Sequence, residues 1–209
     1  MKNPPFLIGE ALRFGWEKTQ SHSAVLFQGM LTLFVLQVAS SIVDKVLHNT
    51  LEGVLAMLAL GVASIIVGAG FTVITLKIAK GEHVSYKDLI PRSRLVWNYF
   101  GASLISGLLV VLGLILLILP GVYLLVRFSM VRFAVIDGAE IMDSLSKSTA
   151  LTDGIKWHLF GFLLVLLCLN IAGALAFMIG LLITVPVSAI SYAHVYLKLK
   201  KHSLNATLS

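Results

Sequence analysis

Residues 54–78 read VLAMLALGVASIIVGAGFTVITLKI, and the only charged residue among them is Lys77, next to the end of the run. As a helix this stretch is about 37 Å long at 1.5 Å per residue. That is enough to cross a hydrocarbon core of about 30 Å. The run leads directly into a basic segment holding Lys77, Lys80, Lys87, Arg92 and Arg94. An apolar rod followed by a basic cluster is the pattern of a transmembrane helix that ends on the cytoplasmic side.

Working outward from it, further apolar runs are predicted to span at 23–43, 98–118, 121–137, 156–176 and 180–198. The fourth, 121–137, is the shortest and carries Arg127 and Arg132. The connections test the count. Lys45 is the only basic residue between the first two runs, and Leu119-Pro120-Gly121 and the segment near 178–180 carry none. Lys2, Arg13 and Lys18 precede the first run, Lys147 and Lys156 follow the fourth, and Lys198, Lys200 and Lys201 end the sixth. Basic and non-basic connections alternate, as six crossings with both termini in the cytoplasm require. Pro120-Gly121 predicts a tight turn between the third and fourth runs, and Pro186 a kink in the sixth.

Composition agrees with that threading. The chain has 209 residues, 58% of them hydrophobic and 12% charged, with a mean hydropathy of +0.95. Ordinary soluble domains carry about 25% charged residues, so this chain has too few to cover a water-facing surface. The net charge is +6, but the basic residues sit beside the ends of apolar runs rather than in a stripe, which argues for lipid headgroups and against nucleic acid. Glu10, Arg13, Glu17 and Lys18 make the N-terminus too polar for a cleavable signal. The expected architecture is all-α, a single integral membrane domain over 1–209.

The three tryptophans, Trp16, Trp97 and Trp157, fall at the cytoplasmic starts of the odd-numbered runs, where aromatic anchors belong. Each lies near the end of, or just after, a short amphipathic stretch: Phe6–Lys18, Ser85–Leu95 and Ala139–Thr152. Their lengths and mixed polarity predict three interfacial helices. With the shared Trp-x-x-Phe-Gly of Trp97–Gly101 and Trp157–Gly161, they suggest a parallel threefold repeat of interfacial helix plus hairpin.

Small residues recur at helical spacing. Gly61, Ser64, Gly68, Thr72 and Thr75 lie in the second run, and Ser103 and Gly107 in the third. Such stripes predict close helix packing at Gly61, Ser64, Gly68, Ser103 and Gly107, with a substrate path as the other reading. Arg127 and Arg132 are candidate anion or lipid contacts, since a guanidinium within the bilayer is costly unless it snorkels or is paired. Arg127 is expected near mid-bilayer, with Asn170, the hydroxyls of the sixth run, or Asp44 or Glu52 of the outer loop as neighbours. Its alternative role is an anchor that sets the depth of a short helix.

Absences narrow the function. No Asp or Glu falls in the middle of a run, as a proton- or sodium-coupled transporter would need. The six histidines are scattered and Cys168 is alone, so no metal site, disulfide or cofactor is expected. Ser146, Ser148, Thr149 and Thr152 read as the polar face of the third interfacial helix.

Four segments carry a resemblance: Pro120-Gly121-Val122-Tyr123, Arg127-Phe128-Ser129-Met130, Lys147-Ser148, and Leu151-Thr152-Asp153-Gly154. In these the chain resembles the YciC-like uncharacterised bacterial inner-membrane proteins, related to the membrane domain fused to some glycerophosphodiester phosphodiesterases. The likeness in layout runs over about 65–198, with its motif in 120–154 and Asp137 as the family's acidic position. It implies a six-span domain in the bacterial inner membrane with cytoplasmic interfacial helices. It carries no established activity, and phosphodiesterase activity is not carried over.

The function expected from all of this is non-enzymatic: binding of membrane phospholipids, of a partner membrane protein or of a second copy, in envelope homeostasis. The alternative is a passive transporter or channel with Arg127, Gln28, Gln37 and Asn170 around one cavity.

Overall fold

In the computed structural model, residues 5–176 and 180–208 are described. They form α1 (Ile8–Ser21), α2 (Ser23–Val46), α3 (Leu51–Lys80), a 3-10 turn (Tyr86–Leu89), α4 (Ser93–Leu116), α5 (Ile118–Arg127), α6 (Val131–Ile136), α7 (Ile141–Thr152), α8 (Lys156–Leu175) and α9 (Leu181–Leu208). Six stretches are long and apolar enough to cross a membrane: α2, α3, α4, α5 with α6, α8, and Leu181–Asn205 of α9. The chain is therefore an all-helical, multi-pass membrane protein. Lys2 and most of the fifth connection near 178–180 lie outside the described residues.

Local chemistry sets the ends of α3. The Thr50 hydroxyl accepts from the Gly53 N–H at 3.0 Å, a side-chain N-cap. Gly81, at φ 76°, closes the other end, with Lys77 and Lys80 in the last turn, where a cation suits the helix dipole.

The turn between α4 and α5 is not at Pro120-Gly121. It falls on Leu117, which is extended at φ −166° and ψ 150°. Pro120 lies inside the first turn of α5, ahead of the first helical bond, Gly121 N–H to Leu117 C=O at 3.3 Å. A proline there forfeits no helical hydrogen bond. Gly121 serves a crossing instead: a Cβ on Gly113 would lie 3.0 Å from the Gly121 Cα, so α4 and α5 approach nearly backbone to backbone.

The second amphipathic stretch is not a helix. Tyr86–Leu89 is one 3-10 turn, fixed by the Ser85 N–H donating to Asp88 Oδ2 at 3.0 Å. Pro91 disfavours helical backbone at the residue before it, and α4 starts only at Ser93. Leu89, 2% exposed, wedges between α2 and α3. A Cβ on Gly29 would sit 3.4 Å from the Leu89 side chain, and one on Gly70 would strike its carbonyl. The first and third stretches are helical, as α1 and α7, so the three units are not alike. Trp16 lies within α1, whereas Trp97 and Trp157 lie in the first turns or two of α4 and α8.

Burial concentrates at one end of the molecule. Val67–Ile78 of α3, Val131–Val135 of α6, Leu159–Leu166 of α8 and Val187–Leu199 of α9 supply most of the packed side chains. One cluster joins α1, α3, α5, α6, α8 and α9, a second joins α2, α3, the 3-10 segment and α9, and a third (Ala69, Tyr99, Ala102, Val131, Val135) joins α3, α4 and α6. The opposite halves of the spans present exposed apolar side chains such as Phe34, Val46, Leu51, Leu58 and Leu112, a surface suited to lipid.

Ion pairs gather at the packed end. Lys80 Nζ lies 2.7 Å from Asp137, Lys200 pairs with the same carboxylate, and Lys198 Nζ lies 2.8 Å from Glu10. The ends of α3, α6 and α9 thus share one side with α1, and the short fourth span returns to the side from which α4 set out.

Candidate functional site

The fourth span is broken between α5 and α6 at Phe128–Met130. Breaking a helix exposes backbone groups that lipid cannot satisfy. Ser148 of α7 satisfies them from both sides: its hydroxyl donates to the Arg127 carbonyl at 2.8 Å and accepts from the Met130 N–H at 3.2 Å. Thr152 Oγ1 also reaches the Arg127 carbonyl, at 3.4 Å. Tyr192 of α9 donates to the Ser129 carbonyl at 2.9 Å. Ser144, Ser148 and Thr152 are fully buried. The hydroxyl stripe of α7 therefore faces the protein, not the solvent face expected of Ser148 and Thr152.

Beside the break lies a cleft of about 500 Å³. Its lining is mixed where Thr72 and Thr75 of α3, Ser103 and Ser106 of α4, Ser129, Arg132 and Tyr192 lie among Phe71, Phe128, Phe133, Leu163 and Ala189. Farther along α4 and α5 it is apolar, with Val110, Val111 and Leu125. Several hydroxyls donate to nearby carbonyls: Thr72 to Gly68 at 3.0 Å, Thr75 to Thr72 at 3.0 Å and Ser106 to Ala102 at 2.7 Å. The buried oxygens of Ser103 and Ser129 have no partner among the described residues.

The two arginines separate here. Arg127 Nε donates to Thr149 Oγ1 at 3.1 Å, and its carbonyl is held by α7 as above. It anchors the end of α5. Asn170, offered as a neighbour, instead donates to Ser188 Oγ at 2.9 Å between α8 and α9. Arg132 has no hydrogen bond or ion pair among the described residues. Its guanidinium lies over the Tyr99 ring, 5.9 Å from the centroid, and lines the cleft. Gln28 and Gln37 are exposed on α2, so the cavity expected around Arg127, Gln28, Gln37 and Asn170 does not form.

The small residues play a different part from the expected one. A Cβ on Gly61, Gly68 or Gly107 would meet nothing within 4 Å, so these glycines mark open space. Ser64 donates to its own helix, to the Leu60 carbonyl at 2.8 Å. Ser103 and Gly107 line the cleft wall. The close approaches fall instead at Gly113 with Gly121, Gly70 with Leu89, and Gly173 with Thr184. Sequence reasoning missed Ser106, Ser129 and Tyr192 as lining residues; nothing in their spacing singles them out.

Asp137 stands five residues beyond Arg132, about 140° further round the helix, and faces away from the cleft toward Lys80, Lys200 and Tyr196. Burial pushes its carboxyl up, but hydrogen bonds and charge from Lys200 and Lys80 outweigh that and hold it below the ordinary carboxylate range. No group of three His, Cys, Asp or Glu side chains that could hold a metal occurs among the described residues. Comparison of the chain with family models, curated proteins and solved structures finds no match.

Proposed function

We propose that this protein is a non-enzymatic bacterial inner-membrane protein that holds an anionic phospholipid in the cleft. The headgroup phosphate sits on Arg132, and an acyl chain runs along Val110, Val111 and Leu125. The observation that carries the reading is a guanidinium in a membrane-spanning segment, without a protein acceptor among the described residues, lining a cleft together with several hydroxyls and a run of apolar side chains. An unpaired Arg at such a place is costly. Phosphate matches its planar donor set, and Ser103 and Ser129 offer further unspent hydroxyls.

The basic, packed end is assigned to the cytoplasm together with both termini, by the charge bias of the connections. Trp16, Trp97 and Trp157, which are 47%, 70% and 86% exposed, and the faces of α1 and α7 then belong to the cytoplasmic interface. Membership of the YciC-like family is part of the same proposal. The residues that carry that resemblance, Arg127, Met130, Ser148 and Thr152, hold the α5–α7 junction together, a structural duty that fits a family defined without a reaction.

The test is thermal unfolding of the purified protein in neutral detergent with added dioleoylphosphatidylglycerol or dioleoylphosphatidylcholine. A ligand at a hundred times its Kd stabilises the native state by about 2.7 kcal/mol. The anionic lipid should raise the melting temperature more than the zwitterionic one, and Arg132→Gln should reduce the difference whereas Lys147→Gln should not. Equal shifts in the wild-type protein would contradict the proposal.

A further inference from the structure

On the flank of α3 and α4 that carries Ile90 and Pro91, a second groove of about 520 Å³ runs between Ile65 and Ile66 of α3 and Val96, Trp97 and Phe100 of α4. Its lining is almost wholly apolar, and Trp97 is 70% exposed along it. Ile90 and Pro91 close one end and also line the adjoining depression at the packed end of the molecule, which holds Lys87, Arg92 and Arg94. Apolar trough and basic rim are therefore continuous.

The carboxylates on this rim are already engaged. Asp88 pairs with Lys77 at 2.7 Å, and Glu140 with Arg94 at 3.2 Å. The side chains of Lys87 and Arg92 are exposed and have no ion pair or hydrogen bond among the described residues. Two uncommitted cations thus sit at the end of a hydrocarbon-lined trough. We infer that this groove is a second phospholipid site: an anionic lipid of the leaflet at the basic end lays one acyl chain against Trp97 and Phe100 and sets its phosphate between Lys87 and Arg92. A neutral lipid would fill the trough equally well but leave both cations without a partner, so charge gives the site its selectivity. This inference rests on residues separate from the Arg132 cleft and stands or falls independently of it.

Trp97 reports the occupant directly. The full-length protein carrying Trp16→Phe and Trp157→Phe, reconstituted in phosphatidylcholine vesicles, would be exposed to a minority of chain-brominated phosphatidylglycerol or of chain-brominated phosphatidylcholine. Bromine quenches indole only on contact. Stronger quenching of Trp97 by the anionic lipid is expected, with the preference falling about fivefold for each of Lys87→Gln and Arg92→Gln. Arg132→Gln and Lys147→Gln should leave it unchanged. Equal quenching by the two lipids would overturn the inference without need of any further variant. A preference lost equally in Lys147→Gln would also overturn it, by showing diffuse surface charge in place of a site.

Discussion

The Asp137 carboxylate lies 2.7 Å from Lys80 Nζ, joining the last turn of α3 to the end of α6. Lys200 and the Tyr196 hydroxyl, the latter at 3.1 Å, bring α9 to the same group. One carboxylate thus gathers the ends of three spans. Asp137→Asn should lower stability by about 2–3 kcal/mol, because it removes the counter-charge of two ammonium groups and turns one of the two acceptor oxygens into a donor. Thermal unfolding in detergent at neutral pH measures this; a change within error would mean the three ends are held by packing alone.

The same carboxylate predicts an acid sensitivity. Its folded-state pKa lies below the ordinary value, which is about 3.9 in an unfolded chain. The unfolded state therefore binds the proton more tightly. The stabilisation is present above about pH 4 and is lost as pH falls through the folded-state value. Melting temperatures recorded from neutral pH down to acid should drop more steeply for the wild-type protein than for Asp137→Asn.

Ser148 and Ser146 look alike in sequence but differ in position: Ser148 is fully buried and Ser146 exposed on α7. Ser148→Ala removes a donor from the Arg127 carbonyl and an acceptor from the Met130 N–H. It should cost about 1–3 kcal/mol, the Met130 N–H being left unmet and the Arg127 carbonyl keeping only the 3.4 Å contact from Thr152. Ser146→Ala should fall within about 0.5 kcal/mol. A denaturation midpoint for each variant distinguishes them.

Glycine gives a matching contrast. Gly113→Ala would place a Cβ 2.8 Å from the Leu124 side chain and 3.0 Å from the Gly121 Cα, so α4 and α5 must part. It should destabilise by about 1–3 kcal/mol. Gly107→Ala meets nothing within 4 Å and should be neutral or stabilising by up to about 1 kcal/mol, through helix propensity. Loss of stability in Gly107→Ala would restore the packing role its spacing suggested.

These contrasts show what the sequence could and could not convey. Span number and same-side grouping were legible because they depend on run length and on where Lys and Arg fall, both one-dimensional quantities. The short fourth span was recovered by the placement of Lys198, Lys200 and Lys201, and the pairing of Lys80 and Lys200 with Asp137 bears out its return. The site was less legible. Gly107 was singled out by its helical spacing and Gly113 was not, yet the first borders a void and the second a crossing; only the azimuth of the neighbouring helix decides. Likewise Arg127 and Arg132 differ in whether α7 reaches them, and a tertiary contact of that kind leaves no mark in local composition. Pro120-Gly121 misled because a proline before the first helical bond and a proline in a turn obey the same local rule.

Native mass spectrometry reads a phospholipid headgroup on Arg132 without an intermediary. Delipidated Lys87→Gln/Arg92→Gln protein, with the groove beside Trp97 disabled, would be incubated with dioleoylphosphatidylglycerol and released from detergent in the gas phase. A headgroup held by Arg132 should give a retained one-lipid adduct that disappears when Arg132→Gln is added and survives Lys147→Gln. An adduct of undiminished abundance in the Arg132→Gln protein would contradict that assignment.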